Sequence, residues 1–167
     1  MKLFAVVALS LVAAAPASAQ TAQPYAGLET RTIKALSPAQ IDDLRTGRGM
    51  GLALAAELNG YPGPVHVLEL ADKLSLSPDQ RERAQALVMA MKAESLPLGE
   101  KLIAQEADLD RQFATRTVTT ASLSSTTEAI GGTQAALRAT HLKYHLAMLE
   151  LLTPVQAGLY SDRKSVV

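Results

Sequence analysis

The sequence has no cysteine, no tryptophan and only two phenylalanines in 167 residues. Without cysteine there is no disulfide, no thiol nucleophile, no thiolate metal ligand and no cysteine for a lipid anchor. Neither sign of charge is in excess, with 16 basic and 16 acidic residues. That argues against a nucleic-acid protein, which carries a basic face. The longest apolar run, Leu3 to Ala15, is too short to span a bilayer of roughly 30 Å at about 1.5 Å per residue. Strand-type alternation and a Gly-rich phosphate loop are both missing. Ser and Thr gather at helix starts and in 115–127, not beside a histidine as nucleophiles would. The expectation is a protein that is not an enzyme and requires no cofactor.

What is present is a helix-former's composition, rich in Ala, Leu, Glu, Gln, Lys and Met. Residues 1–19 read as a secretory signal: Lys2, then the apolar run, then Ala17-Ser18-Ala19 as a cleavage site. An exported chain beginning at Gln20, with no stable membrane anchor, is expected. Residues 20–35 are polar and predict a flexible arm. Residues 36–162 predict one helical domain, and 163–167 a tail. Short helices are expected over Ser37–Arg45, Met50–Leu58 and Val65–Leu74, separated by Gly47, Gly49 and the Asn59-to-Pro64 turn cluster.

Two long helices follow. The first, from Ser77 to about Gln112, carries the apolar stripe Ala84, Leu87, Met91, Leu98, Leu102, Leu109 and Phe113. Pro97 predicts a kink or break within it. Residues 115–120 read as a loop. The second, from about Ser122 to Leu152, contains Gly131-Gly132, which predict either close approach of a neighbour or a bend. The fold class expected is all-α: short N-terminal helices, then a long antiparallel helical hairpin.

One phrase recurs three times: Leu36-Ser37-Pro38-Ala39-Gln40, Leu76-Ser77-Pro78-Asp79-Gln80 and Leu152-Thr153-Pro154-Val155-Gln156. Each is a helix-start device. The hydroxyl accepts from a free N–H, and Pro occupies the first turn, where a donor is not needed. Gln reaches back to the cap residue's own N–H, and the preceding Leu packs on the first turn. The cap alone contributes about 1 kcal/mol.

The threefold phrase in an exported, cysteine-free helical chain resembles the Spy/CpxP family, whose Leu-Thr-x-x-Gln motif Leu152 to Gln156 matches literally. The two earlier copies carry Ser in place of Thr. The likeness extends to "LRATHLKYHLAMLELLTPVQ" and covers Met50 to Ser161. The resemblance implies a periplasmic protein whose helical hairpin dimerises into a curved cradle. It implies an ATP-independent chaperone or stress-response regulator. Its partners would be unfolded or misfolded envelope proteins, or the periplasmic domain of a sensor kinase. Distant relatives of the CnrX and ZraP type bind metals.

His141 and His145 stand four apart, in the same arc of the last long helix as Leu137, Tyr144, Met148 and Leu151. With the hairpin closed near residue 117, Glu94 comes roughly opposite His141. Two readings are open. One is a buried His–Glu hydrogen-bonded cluster that fixes register. The other is a divalent transition-metal site with His141, His145 and Glu94 as ligands, suited to Zn²⁺, Ni²⁺ or Co²⁺. His66 reads as an exposed or hydrogen-bonded helix residue. The scattered methionines read as core or client surface.

Overall fold

The computed structural model describes residues 25–164. The expected signal, residues 20–24 of the arm and the last three residues lie outside that range. Among the described residues every regular element is a helix: α1 (Pro38–Thr46), α2 (Leu54–Glu57), α3 (Pro64–Glu69), α4 (Pro78–Ala114), α5 (Thr120–Leu151) and α6 (Pro154–Lys164). α6 therefore takes in the first two residues of the expected tail.

The repeated phrases start α1, α4 and α6. At Ser37 and Ser77 both halves of the capping box form. The hydroxyls accept from Gln40 N at 3.2 Å and Gln80 N at 3.1 Å. The glutamine Oε1 atoms accept from Ser37 N at 2.9 Å and Ser77 N at 3.0 Å. Thr153 and Gln156 make the same exchange at 3.3 and 2.9 Å. A fourth box, Thr119 with Ser122, opens α5 two residues before the expected start.

The second and third copies of the phrase do more than cap. Gln80 Nε2 donates to Gln156 Oε1 at 2.8 Å, and Gln156 Nε2 donates to Gln80 Oε1 at 3.0 Å. Each amide also reaches a carbonyl on the other side: Gln80 Nε2 to Leu151 O at 3.0 Å, Gln156 Nε2 to Leu74 O at 3.2 Å. Leu76 and Leu152 are buried together beneath this clasp.

α4 and α5 run in opposite directions side by side. Gln112 Nε2 donates to Thr126 Oγ1 at 3.2 Å, and Tyr144 Oη donates to Glu94 Oε1 at 2.8 Å. Both pairs share one register, centred on residue 119 rather than 117. α4 continues through Pro97, so the expected break does not occur. Pro97 costs about 3 kcal/mol in a helix interior. Packing on both sides offsets that cost: Met91 and Ser95 are buried before it, Gly99, Leu102 and Ile103 after it. At Gly99 the backbone of α1 presses directly on α4; a Cβ there would sit 2.5 Å from Leu44 O.

Three further expectations change. Only Leu54–Glu57 of the expected Met50–Leu58 helix is helical, because Met50 and Gly51 take left-handed backbone (φ 44° and 76°). α3 stops at Glu69 and the chain reaches Leu76 through turns. Gly131 and Gly132 approach nothing: a Cβ at either meets open space. The polar arm is anchored at its end, where Ile33 is buried with Leu36 and Leu44.

The core has two parts. One joins α3, α4, α5 and α6 through Val67, Leu74, Ala84, Met148, Leu151 and Tyr160. The other joins α1, α4 and α5 through Leu44, Leu102, Ile103, Ile130 and Leu137. Between them α5 places Thr140, His141, Tyr144 and His145, and α4 places Met91 and Ser95. Of the predicted stripe, Ala84, Met91 and Leu102 are buried, while Phe113 is exposed.

Candidate functional site

The polar layer between the two cores opens into a cleft of about 720 Å³. Its floor is Met91 and Lys92 from α4 with His141 and His145 from α5. One wall is the Thr46–Gly51 loop after α1. The other is α2 with the Gly63–His66 segment. The sequence builds these walls from glycines and short helices. Such backbone approaches the imidazoles closely, as a Cβ at Gly63 would lie 3.0 Å from His145 Cε1. A smaller hollow of about 270 Å³ beside α1 is lined by Arg31, Ile41 and Arg45 and holds no histidine.

Both predicted histidines are buried, at 3% and 5% exposure. His145 Nδ1 donates to Tyr61 O at 2.8 Å, which fixes its neutral tautomer with the proton on Nδ1. Burial pushes its pKa down; the Tyr61 carbonyl opposes that and nearby His66 adds to it. His141 is also pushed down, first by burial and then by His145. Both rings are therefore neutral at neutral pH. They offer hydrogen bonds rather than charge.

Glu94 does not join them. It accepts from Tyr144 Oη and pairs with Lys143 Nζ at 2.5 Å, and it does not line the cleft. Those two partners hold its pKa below the usual carboxylate value. The register shift explains the miss, since moving the closing point from 117 to 119 carries position 94 one turn along α5. Neither the His141–Glu94 cluster nor a His141–His145–Glu94 ligand set is assembled. Among the described residues no group of three or more His, Asp or Glu side chains could hold a metal ion.

The carboxylate that serves the cleft is Glu57. Its Oε2 accepts from Tyr160 Oη at 2.8 Å. Its Oε1 lies 3.9 Å from His145 Nδ1 and 3.8 Å from His66 Nε2. His66 Nδ1 contacts Glu69 Oε2 at 3.0 Å. Burial pushes the Tyr160 phenol up to about 12. Sequence reasoning missed Glu57 because it sits on a four-residue helix with no periodic pattern to orient it. The one available signal was the glycine and proline density on either side of it, which marks backbone close to something.

Arg48 is tied to Asp43 at 2.9 Å and Asp42 at 3.3 Å, so it braces the loop. The remaining large residues at the mouth are apolar and exposed: Met50 (39%), Leu54 (56%), Leu58 (76%) and Val65 (38%). Leu54 opens α2 and Leu58 directly follows its end, one turn later.

Scans of protein-family models, curated proteins and solved structures return no match for this chain.

Proposed function

We propose that the protein is an ATP-independent, chaperone-like envelope protein that binds unfolded polypeptide. The observation that carries this reading is the exposed apolar rim of the cleft. Four large apolar side chains, Met50, Leu54, Leu58 and Val65, stand in solvent around one opening. Single exposed apolar residues are ordinary; several around one concavity mark a binding site. An unfolded chain exposes the apolar surface that such a rim buries, and it adapts to a concave site. Weak, reversible burial of that kind needs no nucleotide. The likeness of the repeated phrase to the Spy/CpxP motif supports the same reading. On that reading α4 and α5 are the long hairpin, two copies form a curved cradle, and the site of action is the periplasm.

The test is suppression of aggregation of a denatured client at stoichiometric amounts. The parent protein should suppress it, and the Leu54→Glu, Leu58→Glu double variant should not. Both leucines are exposed, so the variant retains its fold. No suppression by the parent, or equal suppression by both, refutes the reading.

A second reading, a divalent-metal sensor or buffer, rests on His141 and His145 sharing the cleft floor with Met91. Zn²⁺, Ni²⁺ or Co²⁺ would raise the melting temperature, and His141→Ala would abolish the shift. No shift in the parent protein removes this reading.

A further inference from the structure

His141 is the buried imidazole at the cleft whose ring has no partner among the described residues. It is 3% exposed, yet it makes no hydrogen bond with any described residue. The other polar aromatic rings nearby have partners: Tyr144 with Glu94, His145 with Tyr61, Tyr160 with Glu57. Nor is the ring sealed in. The buried side-chain atoms that lack both a partner and an opening are Gln105 Oε1 and Gln112 Oε1. The imidazole borders the cleft and is directed to it. A polar group that meets only the cleft is open to a ligand that supplies its partner in a drier setting.

The chemistry of that ligand follows from the walls. The cleft carries Arg48 and Lys92 against Glu57 and Glu69, so its formal charge balances. Arg48 and Glu57 are already engaged. Lys92 makes no ion pair with any described residue but is exposed, where a charge gains little from pairing, so a charged group entering would lose more hydration than it regains. A neutral group with an apolar body suits the site better. Met50, Met91 and Leu54 supply apolar and thioether surface, which favours aromatic rings. The neutral imidazole of His141 accepts one hydrogen bond. A ring with a donor at its edge meets both demands, and Tyr and Trp are the side chains of that kind.

We propose that the cleft captures a tyrosine or tryptophan side chain of an extended client. The ring lies against the methionine and leucine walls, and its O–H or N–H donates to His141. This rests on the polypeptide-binding reading and names what anchors the client. The rim residues would then hold the flanking apolar segments, and His141 would set the preference.

The test uses blocked Gly-Gly-X-Gly-Gly peptides with X as Tyr, Trp or Phe. The protein has no Trp of its own, so indole emission reads the Trp peptide directly, and amide shifts at Gly49 and Gly63 read all three. Tyr and Trp should bind about tenfold more tightly than Phe, the value of one buried hydrogen bond. His141→Leu should bring Tyr level with Phe while leaving Phe binding in place. His141→Gln, which keeps an acceptor, should retain part of the preference and serves if the Leu variant does not fold. Equal binding of Tyr and Phe by the parent overturns the proposal, as does a Tyr preference that survives in His141→Leu. The two readings fail separately. A protein that suppresses aggregation but shows no Tyr preference keeps the client-binding function and loses this anchor.

Discussion

Substituting Ala for Gly at positions 99 and 131 should move stability in opposite directions. Both glycines lie in helix interiors, where Ala is favoured by about 1 kcal/mol. At Gly131 nothing stands within 4 Å of the new Cβ. The full propensity gain should appear there. At Gly99 the Cβ would meet Leu44 O at 2.5 Å, Leu44 C at 3.1 Å and Leu44 Cβ at 3.3 Å. An ordinary carbon–oxygen contact is about 3.3–3.6 Å, so α1 and α4 must separate by nearly 1 Å. The obstacle is backbone, which does not rotate away as a side chain does. Overpacking of this kind costs about 1–3 kcal/mol, and a main-chain obstacle belongs at the upper end. Less the propensity gain, Gly99→Ala should lose about 2 kcal/mol. For a domain of this size that is roughly 6 °C in Tm, against a rise of about 3 °C for Gly131→Ala. The assay is urea unfolding followed by circular dichroism, at one fixed protein concentration. A neutral or stabilising Gly99→Ala would show that α1 does not press on α4 as described. A destabilising Gly131→Ala would show that another surface covers that face of α5.

Other outcomes follow from the polar groups. A double-mutant cycle on Gln80→Ala and Gln156→Ala should give a coupling of about 1 kcal/mol or more, because each side chain bonds the other; Gln40→Ala, an exposed cap, should couple to neither, and a zero coupling energy between the first two refutes the clasp. His141 and His145 have lowered pKa values, so the unfolded chain takes up protons first. Their contribution to stability is present above the ordinary imidazole value of about 6.5 and is lost as pH falls through it toward the lowered folded values. Melting across that interval should show a decline that flattens in the His141→Leu variant. Glu106 has the opposite sign. Burial raises its pKa, so its carboxyl favours the fold below the ordinary value and opposes it as pH rises through the folded value. Glu106→Gln should raise Tm at neutral pH and lose that advantage in acid; a loss of Tm at neutral pH would contradict it.

The sequence carried the parts of the structure that are local. The capping boxes at Ser37, Ser77 and Thr153 were legible because Ser/Thr-Pro-x-Gln is a short-range device. The burial of His141 and His145 was legible because helical periodicity puts them in the same arc as Leu137, Met148 and Leu151. What depended on distance was not. Glu94 was assigned to the wrong partner because a two-residue shift of the hairpin's closing point moves the facing position four residues, one turn, along α5. Pro97 has a local cost that packing at Gly99 and Leu102 overrides, and no local signal reports that. Glu57 was invisible because a four-residue helix has no period. The mutual bonds of Gln80 and Gln156 join positions far apart in the chain, so each copy of the phrase looked complete by itself.

That pairing has a consequence for the order in which the chain can become finished. During synthesis α4 emerges long before α6. Its first turn can form with Ser77 and Gln80 alone, but the Leu74 and Leu151 carbonyls find their amide donors only once Gln80 and Gln156 meet. Until residue 156 has left the ribosome, this end of the molecule is an open edge with Leu76 and Tyr160's place beside it unfilled. Completion at this corner thus waits for α6, and α6 with the start of α4 should exchange amide protons as one cooperative unit. The same phrase that begins a helix locally sets the moment at which the whole fold closes.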